Sequence, residues 1–138
     1  MITLTQQDQQ TAQTLKDLCA NIEGSLKTSV NPNEPQELQN QIEVLRPYLS
    51  HISTMMSSAS AIYDYAKGEC AKEMMKSSQL LDLKANVQKM WIEGQLKDFS
   101  ELYYRVESVT KSLDKSINGL VSLLSYEKEK MKNRIHQD

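Results

Sequence analysis

Between Leu38 and Cys70 the inward-type positions fall in alternating steps of four and three residues. They are Leu38, Ile42, Leu45, Leu49, Ile52, Met56, Ala59, Tyr63, Ala66 and Cys70. A 3.5-residue repeat held this long predicts one face of a supercoiling helix. Pro47 and Gly68 both fall two residues after a seam position, on the outward side. Proline inside a helix costs about 3 kcal/mol and bends it. The seam keeps its phase across Pro47, so one bent helix over 35–76 is expected.

A second seam runs Ile92, Leu96, Phe99, Tyr103, Val106, Thr110, Leu113, Ile117, Leu120, Leu124, Glu127 and Met131. Leu102, Val109 and Leu123 widen it on one flank. It predicts a helix over 96–134, about 58 Å long against about 63 Å for the first, at 1.5 Å per residue.

Ahead of both, Ala12, Leu15, Leu18, Cys19, Ile22 and Leu26 predict a helix over about 5–29, with Thr3 or Thr5 able to cap it. Pro32 ends it by excluding its predecessor from helical geometry. Asn33 is placed to cap the next helix, with Pro35 in the first turn. Between the seams, Leu80, Leu83, Val87, Met90 and Trp91 predict a short helix over 79–93, with Gly94 as its stop. A rival reading keeps 79–134 as one helix after a turn at Ser77-Ser78.

A short connector cannot return the chain in parallel. The expectation is a single all-α domain over 1–138, an elongated antiparallel bundle or coiled-coil hairpin of two long helices. The N-terminal helix and the short connector helix complete it. The last residues, 133–138, are expected to fray.

Composition supports this picture. Of 138 residues, 39% are hydrophobic and 6% aromatic, a thin core that suits narrow helical seams. With 4 Gly and 3 Pro there are too few turn residues for many short strands. Net charge is −2, split into 3 basic and 6 acidic groups over 1–60 and 13 basic and 12 acidic over 61–138. Neither part has the field of a general polyanion binder.

The two cysteines, Cys19 and Cys70, lie far apart and outside any CxxC, which fits a reduced, cytoplasmic protein. Neither a signal peptide nor an 18-residue apolar run is evident, so no membrane association is expected.

Candidate chemistry is sparse. No Glu-x-x-His pair exists, and the only histidines, His51 and His136, sit on a helix flank and in the tail. No metal or cofactor is expected. Both cysteines lie in apolar rows, where a thiol is inert. Neither GxxxxGK[ST] nor GxGxxG occurs. An enzyme is therefore not expected.

The Met-rich stretch Met55–Met75 reads as adaptable packing, with a docking groove as the alternative. Tyr63 and Tyr65 cannot share a face. Trp91 either anchors the connector or forms a partner hot spot. Lys128, Lys132 and Arg134 form the one local basic excess. They complement a helix C-terminus, or they contact phosphate groups.

Tyr63-Asp64-x-Ala66-Lys67, then Lys76-Ser77, then the run Gly119 to Lys128 resembles small all-helical proteins encoded by phages and prophages. Several of those sit among replication, recombination or counter-defence genes. The resemblance implies an accessory or inhibitor role with a host or phage protein partner, and no catalytic residues.

The expected function is that of a non-enzymatic interaction protein acting through helix surfaces. It would self-associate, with a two-fold dimer as the simplest case. Leu102, Val109 and Leu123, with Trp91, are the expected interface. Nucleic-acid association in a recombination or replication complex is the alternative. Small-ligand capture by an oligomer is a third.

Overall fold

The computed structural model describes residues 2–137, with side chains described over 2–134. It is an all-α helical bundle, and no strand occurs among the described residues. Four helices follow in order: α1 (Gln6–Leu26), α2 (Pro35–Lys76), α3 (Ser78–Leu81) and α4 (Ala85–Gln137).

The capping residues decide where the helices begin. Thr5 Oγ1 accepts from the Asp8 amide at 3.1 Å and starts α1. α1 ends at Leu26, short of the expected 29, in a turn where Lys27 N–H donates to Gly24 O and Thr28 N–H to Ser25 O.

Asn33 does not cap α2. Its amide donates to Asn31 Oδ1 at 3.0 Å, an Asx turn. Glu34 takes the cap position, its carbonyl accepting from Leu38 N–H. Glu37 then reaches back to accept from the Asn31 amide at 2.8 Å. Pro35 opens the helix, where a missing N–H costs nothing. α2 passes Pro47 without a break, and the burial phase holds across it at Leu45 and Ile52.

The connector differs from the expected helix over 79–93. Only one turn forms, Ser78–Leu81, with Ser77 Oγ accepting from Leu80 N–H at 3.2 Å. α4 then starts at Ala85 and runs through Gly94 without interruption. A glycine stop requires a positive φ, and no described glycine has one. The arrangement lies close to the rival reading of one long helix after a turn at Ser77-Ser78. Gln88 Nε2 secures the turn by donating to the carbonyls of Leu80 and Leu81, at 3.1 and 3.0 Å.

Packing divides the chain into two compact units, each drawing on α1, α2 and α4. One comprises residues 1–17 and 55–107. There Ala66, Cys70 and Leu96 form a buried cluster with Ile2, Tyr63, Trp91, Ile92 and Phe99 against it. Tyr63 meets Tyr103 while Cys70 meets Leu96, so α2 and α4 run antiparallel in this unit.

The other unit comprises residues 18–54 and 108–138. Leu38, Ile42 and Leu124 are buried there, with Val30, Leu120 and Val121 packed on them. Gln41 Nε2 bonds Ser25 O at 3.0 Å and joins α2 to the end of α1.

The seam positions are the core. Leu45, Ile52, Val106 and Leu113 are almost fully buried. Met131 is an exception at 51% exposed. The helix continues to Gln137, beyond the expected 134. The side chains of residues 135–138, including His136, lie outside the described residues.

Candidate functional site: an apolar turn between the long helices

The segment that precedes α1 reaches the α2–α4 pair at the cluster around Cys70 and Leu96, where Ile2 packs. Past that level, residues 71–90 belong to two helices and a turn with no third layer. Met74 and Leu80 are half-buried there, and most of the other apolar side chains are exposed. Met75 is 76% exposed and Met90 68%, and Leu81, Leu83 and Val87 are also exposed. α3 buries no residue at all. Leu80, Val87 and Met90, beside Trp91, were expected to be covered; Leu80 is half-buried, and Val87 and Met90 are exposed. Five of the eleven exposed large apolar side chains among the described residues fall in this segment.

Charge around the turn is balanced. Residues 69–93 hold Glu69, Glu73, Asp82 and Glu93 against Lys72, Lys76, Lys84 and Lys89. Lys72 pairs with Glu69 at 3.1 Å and Lys89 with Glu93 at 3.9 Å. Lys76, Asp82 and Lys84 are exposed beside the apolar side chains.

The expected interface residues separate. Leu102 and Val109, at 8% and 6% exposed, lie inside the chain's own core and cannot meet a partner. At Leu102 this flank of α4 shares a cleft with Lys16 of α1. Leu123 alone is exposed, at 40%. Trp91 is half-buried against Ala66, Cys70 and Leu96, the anchoring role.

Lys128, Lys132 and Arg134 are exposed on α4. Between them Lys130 pairs with the buried Glu127 at 3.6 Å and sits 4.9 Å from the centre of the Tyr126 ring. That local charge is already partly used.

Two further features were not expected. Tyr63, Tyr103 and Tyr104 form a cluster with ring centroids 5.4–6.3 Å apart. Lys67 Nζ lies 4.0 Å from the Tyr63 ring centre and 3.8 Å from Asp64, and the group braces α2 against α4. Two tyrosines adjacent in sequence hide the contact, since only Tyr103 holds a seam position. A cleft of about 240 Å³ is lined by Lys16, Asp98, Glu101, Leu102 and Arg105, mixed charges that compensate one another.

Among the described residues no group of three or more His, Cys, Asp or Glu is placed to hold a metal ion. No helix there is long and apolar enough to cross a membrane. Burial pushes the Cys70 thiol above its ordinary pKa, and the nearby Glu73 carboxylate adds to the effect. It is the reverse of an activated nucleophile.

Fold and site together define an all-α bundle with an apolar turn exposed between its two long helices. No family model, curated protein or solved structure matches the chain.

Proposed function

We propose that this chain is a non-enzymatic interaction protein that works through helix surfaces and associates with a second copy of itself. The observation that carries the reading is the exposure of Met75, Leu81, Leu83, Val87 and Met90 in one short segment. Each large apolar side chain removed from water contributes about 1.5–3 kcal/mol when fully buried.

A second copy is the occupant that the charges favour. With as many acids as bases over 69–93, two such turns meet without net repulsion. Across a two-fold axis Asp82 of one copy can face Lys76 or Lys84 of the other, as an isologous contact requires. Met75 and Met90 adapt their shape to such a contact more readily than branched side chains. The role fits the accessory proteins that the sequence resembles.

The test is light scattering on a Met75→Glu/Leu81→Glu variant. Both side chains are exposed, so the helical circular dichroism stays at the wild-type level while the wild-type oligomer drops to the monomer mass. An oligomer unchanged in mass, with the fold intact, removes this surface from the account.

A further inference from the structure

The second unit holds a cleft that self-association through the turn does not use. It measures about 290 Å³ and opens between the end of α1, α2 and α4. Its apolar walls are Leu26, Val30, Leu45, Leu120 and Leu123. Among the described residues no charged side chain lines it. Thr28, Gln41 and Ser116 supply its side-chain polar groups. Gln41 donates from its Nε2 to Ser25 O, and its Oε1 is an acceptor.

Gly119 forms part of the wall, in the interior of α4. A helix-interior glycine costs about 1 kcal/mol relative to alanine. Packing does not require it here, because an added Cβ would meet nothing within 4 Å. The same holds at Gly24, Gly68 and Gly94, and Gly119 is exposed, at the open rim of the cleft.

We propose that this cleft binds a neutral, largely apolar small molecule about the size of two fused rings, carrying one hydrogen-bonding group. Size and chemistry each narrow the class. An apolar protein cavity of about 150 Å³ holds benzene. A cleft of about 290 Å³ takes roughly twice that. Apolar walls release water at little cost and reward an apolar ligand. A charged ligand would lose hydration and find no countercharge. One hydroxyl on the ligand can donate to Gln41 Oε1 or exchange hydrogen bonds with Thr28 or Ser116.

The experiment is a fluorescence titration of the full chain with 2-naphthol, a neutral two-ring alcohol, beside 2-naphthoate, its anionic counterpart. Saturable binding of one 2-naphthol per chain is expected, with 2-naphthoate at least tenfold weaker. Gly119→Leu fills the cleft and should weaken 2-naphthol at least tenfold while the helical signal is unchanged. Ser116→Leu narrows the same wall and should act alike, which covers a folding failure in the first variant.

Met75→Glu/Leu81→Glu should bind 2-naphthol as the wild type does, so the cleft and the turn are tested apart. The proposal is overturned if the wild type binds no 2-naphthol or binds both probes equally. It is also overturned if the filled variants bind as the wild type does, or if binding is lost in the turn variant.

Discussion

Cys70 shows how one side chain registers its surroundings. It packs with Ala66 and Leu96 and is 2% exposed. Burial raises its pKa first, and the Glu73 carboxylate raises it further. A thiol raised in the folded state stays neutral after the unfolded thiol has ionised. Its contribution to stability is therefore complete below the ordinary value of 9.0 and lost as pH rises through the folded value. Urea unfolding should show the midpoint of the wild type falling more steeply above pH 9.0 than that of Cys70→Ala. Parallel slopes would mean that the thiol is not buried as described.

Seam residues were readable at this scale because the spacing alone assigns them inward. Leu45 and Leu113 are nearly fully buried, as the repeat requires. Glu127 holds a seam position and is buried as well, despite its charge, with Lys130 beside it. Tyr104 was not readable, since its contact with Tyr63 crosses between helices from an off-seam position.

Among the elements, α2 was legible to its ends. Pro35 opens it, and Lys76 closes it before the Ser77 cap. The segment 77–95 was not. Leu80, Leu83, Val87 and Trp91 have helical spacing, and spacing states which side chains share a face. It does not state whether anything covers that face. Here Trp91 is covered by Ala66, Cys70 and Leu96, Leu80 is half-buried, and Leu83 and Val87 stay exposed.

Gly94 misleads for a related reason. Glycine often ends helices, yet Gln95 and Leu96 continue the helical pattern and the chain keeps to it. An added Cβ at Gly94 meets nothing within 4 Å. Gly94→Ala should therefore stabilise the protein by about 0.5–1 kcal/mol in urea unfolding. Destabilisation would mean that the glycine does act as a stop.

At the scale of the whole molecule, the proposed self-association rests on the apolar inventory. The chain buries 20 hydrophobic residues among those described and leaves Met75, Leu81, Leu83, Val87 and Met90 exposed at the turn. The fold class was legible from periodicity, and the site was not. Leu102 and Val109 looked like surplus apolar surface because one helix pattern does not reveal that both are buried within the chain. The net charge of −2 neither opposes nor drives association. The turn's own side chains must supply the free energy.

Sedimentation equilibrium of the wild-type chain over a wide concentration range tests that claim most directly. Self-association predicts a mass that rises from the 15.8 kDa of one chain toward twice that value, with Met75→Glu/Leu81→Glu held at the lower limit. A wild-type mass fixed at 15.8 kDa at every concentration would contradict it.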